Sequence, residues 1–310
     1  LRRTLRFLFS FLLLAATAGI YLTNRIMFIK NKAENEVIKR DEEAGFLKLA
    51  DFKALPQKEV IIPSPFGYSL KAIVVEPYNL NRYVVFCHGV TENKMSSVKY
   101  MNLFIERGFN AVIYDQRRHG ESGGKTTSYG YYEKFDLKAV IDWLRKQKGD
   151  DLFLGVHGES MGAATMLQYA GLIEDGADFY VADCPYSDFG KQLAHVVRED
   201  TKLPPQVMVP VAQLFLKVRD RYPLKDVSPL TAVENIQKPV LFIHSRKDDY
   251  ILPGMTQELY DRKLGPKQLF LAENGAHARS LAENREEYTK ALDEFLGHYG
   301  IPESGAADQS

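Results

Sequence analysis

Only two cysteines, Cys87 and Cys184, and a single tryptophan occur in 310 residues. Two cysteines are too few for a disulfide scaffold or a multi-cysteine zinc site. Neither sign of charge is in excess: 40 Lys+Arg face 40 Asp+Glu. A general nucleic-acid binder needs a basic surplus, so nucleic acid is not an expected partner. There is no His-Glu-x-x-His and no cofactor fingerprint, so neither a metal nor a cofactor is expected. Gly120-Glu-Ser-Gly-Gly-Lys125-Thr126 comes near a phosphate-binding loop, but the first glycine of that motif would fall at His119. What is present is a globular composition, with 45% hydrophobic and 26% charged residues, which excludes disorder and low-complexity folds. The length allows one large domain or two small ones.

The zero balance conceals an uneven chain. Residues 1–40 hold eight basic and two acidic residues, an arm of +6 against a body of −6. Within the arm, residues 7–22 form an uncharged apolar run of 16 residues flanked by Arg6 and Arg25. A membrane span needs about 20 residues, and snorkelling arginines can extend a shorter run. The reading preferred on the sequence is an uncleaved signal-anchor over residues 1–29, with a juxtamembrane stalk over 30–58. The membrane is then a partner and the catalytic body lies outside the cytoplasm. The alternatives are a signal peptide cut near Ala16-Thr17-Ala18, giving a secreted body, and a buried helix of the domain.

Beyond residue 58, apolar runs rich in Val, Ile, Phe and Tyr read as strands. They are Glu59–Ile62, Leu70–Val75, Tyr83–Cys87, Asn110–Tyr114, Leu152–Val156, Phe179–Ala182, Val240–His244 and Gln268–Leu271. Helical patterns fall at about 94–107, 133–148, 160–173, 254–264 and 283–299. Such alternation predicts an α/β fold: a mostly parallel eight-stranded sheet with helices on both faces, over residues 59–299. Residues 300–310 read as a flexible tail. One connection is long, and Phe189–Glu199 and Gln206–Asp220 within it look helical. The segment of about 186–236 is expected to form a lid over the strand ends, where open parallel sheets bind ligands.

The chemistry is concentrated after the fifth strand, in Gly158-Glu-Ser160-Met161-Gly162. A serine on a sharp strand-to-helix turn is presented at the sheet edge, and the crowded backbone favours Gly158 and Gly162 on either side. The helix start offers the Met161 N–H to a developing oxyanion. Serine needs a base. Of seven histidines, His277 lies in a loop after the last strand, at the same sheet edge as Ser160. The orienting acid is expected after the strand Val240–His244. Asp248 is preferred and Asp249 is the alternative. The order Ser, Asp, His suits this architecture. The second oxyanion donor is assigned to the Val90 N–H, in a loop where Gly89 permits close approach and His88 supports it.

These residues resemble the α/β-hydrolase superfamily. Gly158-Glu-Ser160-Met-Gly162 looks like its nucleophile elbow, and His88-Gly89 like its oxyanion loop. Asp115-Gln-Arg-Arg118-His119-Gly-Glu-Ser122 is similar to its Asp-x-Arg-Gly-His-Gly-x-Ser segment, with Arg118 in place of a glycine. His244-Ser245-Arg-Lys-Asp248 is similar to its His-Gly-x-x-Asp, with Ser245 in place of a glycine. The family pattern thereby selects Asp248, and Gly275-Ala-His277 matches its Gly-x-His. The resemblance is strongest to the serine-aminopeptidase-like branch, which includes membrane-anchored bacterial hydrolases. It implies a serine hydrolase acting on a small-molecule acyl substrate, most simply a carboxylic ester. An amide or peptide bond, a membrane-lipid or acylglycerol ester, and a catalytically silent binding scaffold are the competing readings.

Overall fold

The computed structural model describes residues 2–301, apart from the side chains at positions 8, 11 and 12. Its strands are β1 (Gln57–Pro63), β2 (Ser69–Val75), β3 (Arg82–Cys87), β4 (Asn110–Tyr114), β5 (Phe153–Glu159), β6 (Phe179–Asp183), β7 (Val240–Ser245) and β8 (Lys267–Ala272). The α-helices are α1 (Arg2–Met27), α2 (Glu34–Glu43), α3 (Leu49–Ala54), α4 (Val98–Ile105), α5 (Glu133–Lys148), α6 (Met161–Leu172), α7 (Phe189–Thr201) and α8 (Pro205–Arg219). They continue with α9 (Pro229–Ala232), α10 (Pro253–Arg262), α11 (Ser280–Glu283) and α12 (Arg285–His298).

The strands form one eight-stranded sheet in the order β1-β2-β4-β3-β5-β6-β7-β8. The pairs β1–β2 and β2–β4 are antiparallel, and every later pair is parallel. The six parallel strands therefore point their carboxyl ends to one edge. Strands β4, β6 and β7 are buried along their whole length, which is why they read as continuous apolar runs rather than alternating ones. On one face, Val85, Val112, Val156 and Phe242 pack with Leu137, Ile141 and Met166 of α5 and α6. On the other, Val84, Ile113 and Val181 pack with Phe104 of α4 and Leu292 and Phe295 of α12. The tail expected over 300–310 lies outside the described residues, except that Gly300 and Ile301 are present and Ile301 is buried.

A third apolar cluster lies beyond the strand ends, beneath α1, α7 and α8. It overturns the reading of the first segment. Among the described residues no helix is long and apolar enough to cross a membrane. The second half of α1 is protein interior instead. Leu22, Ile26 and Met27 are buried against Leu216 of α8 and Phe189 and Leu193 of α7. Gly19 lies so close to the Phe215 ring that any side chain there would strike it. The Arg219 guanidinium donates to the Thr23 hydroxyl and to the Asn24 side-chain oxygen Oδ1, tying α8 to α1. With Gly19, Leu22 and Thr23 committed to packing, too little of the apolar run is left for a span. The membrane anchor, the membrane as partner, and the extracytoplasmic or secreted body inferred from them lose their basis. The stalk expected over 30–58 contains α2, α3 and the start of β1. Val37 and Phe52 are buried in the core on the α4 face.

Candidate active site

Ser160 occupies the turn between β5 and α6 with φ 55° and ψ −115°. That left-handed backbone is strained for a residue with a side chain, and strain of this kind collects at functional sites. The turn is possible because Gly158 and Gly162 lack Cβ atoms. One at Gly158 would meet the backbone of Ala163, and one at Gly162 would meet the Cys87 carbonyl.

The loops after β7 and β8 bring two further side chains to Ser160. Its Oγ lies 2.8 Å from His277 Nε2, and His277 Nδ1 lies 2.7 Å from Asp248 Oδ2. Since Asp248 accepts at Nδ1, that nitrogen carries the proton and Nε2 is left to accept from the serine hydroxyl. Asp248 is held from four sides. Its Oδ1 accepts from the N–H groups of Tyr250 (3.0 Å) and Ile251 (2.9 Å). Its Oδ2 also accepts from His244 Nε2, at 3.0 Å. Burial alone would raise this carboxyl, but the hydrogen bonds from His244 and His277 outweigh it and hold it well below the usual carboxylate range. Asp249, the alternative acid, is exposed and makes no hydrogen bond to His277; only its backbone carbonyl is engaged, by His195 Nε2.

On the other side of Ser160 lie the Gly89–Thr91 loop and the start of α6. Neither the Val90 nor the Met161 N–H has a partner among the described residues. His88 Nδ1 donates to the Gly89 carbonyl at 2.7 Å, while its Nε2 accepts from the Gln116 N–H at 3.0 Å. A trans peptide sets its C=O and N–H in opposite directions. Pinning the Gly89 carbonyl therefore directs the Val90 N–H the other way. Burial pushes His88 down to about 4, which keeps its ring neutral and able to accept at Nε2. Thr91 (φ 69°) is held next to it by donation of its N–H to His119 Nε2 at 3.2 Å. A side chain at Gly89 would be tight, since its Cβ would come 3.0 Å from the Glu159 carboxylate and 3.6 Å from the Ser160 Cβ.

His244 shares the Asp248 carboxylate with His277, a contact that its place four residues before the acid allows but does not announce. Glu159, next to the serine, is buried and paired with Lys99 at 2.7 Å and the Tyr100 hydroxyl at 2.6 Å. Nothing local to Glu159 announces a partner 60 positions away. The Arg118 departure also finds its cause. The position takes φ 62°, the left-handed conformation that a glycine supplies without cost. Here it is held by contacts to the N-terminal segment: its guanidinium donates to the Ile29 carbonyl at 2.6 Å, and its own carbonyl accepts from the Asn31 amide.

Among the described residues, one group of three metal-capable side chains occurs, Cys184, Asp248 and His277. Its carboxylate and imidazole atoms are committed to each other. Burial raises the Cys184 thiol well above its ordinary range, so it stays protonated and is a poor ligand. The sequence reading placed no metal here, and the donor chemistry gives no reason to add one.

An eight-stranded, mostly parallel sheet with a serine on the β5–α6 turn and a histidine and an acid on the last two loops defines an α/β hydrolase, and the chain belongs to that family. The model of the alpha/beta hydrolase fold matches residues 83–234. The uncharacterised protein YqkD of Bacillus subtilis (strain 168) is 48% identical over 90% of this chain and 92% of its own length. The putative esterase YitV of the same organism is 28% identical over 57% of this chain and 72% of its own. Among solved structures, the esterase Pf2001 of Pyrococcus furiosus superposes with a TM-score of 0.66 at 25% identity, covering 81% of this chain and 96% of its own. Two of these neighbours carry the name esterase, one of them as a putative one.

Proposed function

We propose that this protein hydrolyses carboxylic esters through an acyl-enzyme on Ser160. The observation that carries the reading is the unbroken chain from Ser160 Oγ through His277 to Asp248, beside two unpartnered N–H groups. In this reading His277 Nε2 takes the serine proton as Oγ bonds to the acyl carbon. The carbonyl oxygen becomes an oxyanion held by the N–H groups of Val90 and Met161. The bond to the alcohol oxygen then breaks, and His277 returns the proton to that oxygen. A water molecule repeats the cycle on the acyl-enzyme. It gives its proton to His277, which passes it to Ser160 Oγ as the carboxylic acid leaves. Asp248 stays ionised and holds His277 in the required tautomer. An ester is favoured over an amide because its leaving group needs less protonation. The esterases among the structural and sequence neighbours support the same choice.

Ser160→Ala is expected to lower kcat for p-nitrophenyl butyrate by at least about 10³-fold while leaving the thermal unfolding curve in place. Activity retained in that variant would overturn the proposal.

A further inference from the structure

Ser160 is only 4% exposed, so a substrate must reach it through the cavities around it. Two among the described residues meet at Ser160, Val90, Ile29 and Tyr250. The larger, about 440 Å³, is lined by His277 and by charged side chains. The smaller, about 230 Å³, runs between α1 and α7 and is lined by Leu22, Ile26, Tyr129, Phe189, Leu193 and Val197. His277 borders only the larger one. The acid that protonates the departing oxygen must stand next to that oxygen. The alcohol half of an ester therefore belongs in the larger cavity, and the acyl half in the smaller, apolar one.

Each cavity restricts what it can take. The apolar one has room for about eight water-sized groups, hence for an acyl chain of short to medium length. In the polar one the cations are already engaged. Lys32 and Arg40 share Glu92, Lys99 pairs with Glu159, and Arg279 pairs with Glu283. No unpaired charge is left to attract an anion, while hydrogen-bonding groups line the wall. That environment suits a neutral, hydroxyl-rich alcohol. Both cavities are walled by the same stretch of chain. Leu22, Ile26 and Ile29 close the acyl side, and Ile29, Lys32 and Arg40 close the alcohol side. The Lys32 N–H donates to the Thr91 carbonyl at 2.8 Å, which seats this stretch directly on the Gly89–Thr91 loop.

We propose that the substrate joins a short-to-medium apolar acid to a neutral polyhydroxy alcohol, and that Leu22, Ile26 and Ile29 select the acyl chain. The inference rests on the ester-hydrolase reading above. It is tested on the full chain with p-nitrophenyl esters from acetate to dodecanoate, reading the ratio of kcat/KM for octanoate over acetate. Ile26→Trp should lower that ratio about tenfold, and Ile26→Ala should raise it and move the optimum to longer chains. The ratio is internal to each variant, so a loss of folded protein does not imitate the effect. If Ile26→Trp fails to fold, Ile26→Ala, which cannot overfill the cavity, decides. Glycerol monobutyrate should show a lower KM than butyl butyrate. A ratio unmoved by the Ile26 variants, or a preference for the butyl ester, overturns this inference while leaving the ester-hydrolase reading intact. A wild-type protein that cleaves no ester of any length overturns both.

Discussion

At the scale of single residues, the separation of Asp248 from Asp249 is the sharpest test of the arrangement. Adjacent in sequence, they differ in everything that matters for orienting an imidazole. Asp248 is buried and accepts from four donors, whereas the Asp249 carboxylate faces solvent. Asp248→Asn should lower kcat by about 10⁴-fold, because an amide can present the wrong group to His277 Nδ1 and reverse its tautomer. Asp249→Asn should leave kcat close to wild type. Equal losses in the two variants, measured as initial rates on p-nitrophenyl butyrate, would contradict the assignment. Ser160, His277 and Asp248 were legible because each stands in a short motif at the carboxyl end of a strand. Local spacing was enough to bring them to one edge. Glu159 was not separable from an ordinary buried group, because its partner Lys99 is set by tertiary packing.

At the scale of elements, all eight strands were readable from their apolar runs, with ends shifted by at most three residues. The strand expected at Leu152–Val156 starts at Phe153 and continues to Glu159, so the serine follows the strand with no intervening loop. Helix α2 was harder to read. Only Val37 and Asp41 are buried in its ten residues, too few to produce an apolar stripe. Helix α1 misled for the opposite reason. A helix apolar on every side fits either lipid or protein interior, and only its packing on α8 distinguishes them. Gly19 is the closest point of that packing. Gly19→Val should force α1 away from the Phe215 ring and speed proteolytic cutting around residues 28–33. Gly297→Ala, where a methyl group meets open space, should not. Equal cleavage rates in limited proteolysis would show that the contact does not hold α1 in place.

At the scale of the whole molecule, three buried neutral histidines set the response to acid. Burial pushes His88 and His119 down to about 4 and His157 to about 3. An unfolded histidine titrates near 6.5, so between that pH and about 4 the unfolded chain binds more protons and stability falls as pH falls. Over the 1.5 units from pH 6.5 to 5, each histidine is worth about 2 kcal/mol. Asp183 and Asp136 act in the opposite sense. Burial raises both to about 6, so each adds stability as pH falls below that value. They are two against three and begin later, so the histidines win. The urea midpoint should be clearly lower at pH 5 than at pH 7; an equal or higher midpoint would contradict the balance.

The docking of α1 also has a consequence in time. Thr23 is synthesised 196 positions before its partner Arg219. Until α7 and α8 have both been made, the apolar side of Leu22 and Ile26 lacks the cover they give it. The nascent chain must therefore carry this sticky helix through the synthesis of most of the sheet, which is the period when such surface invites association with other chains. The final closing of α1 onto α8 completes the walls around Ser160, so the step that hides this surface is also the one that makes the chamber usable. A chain caught before it would hold an open site.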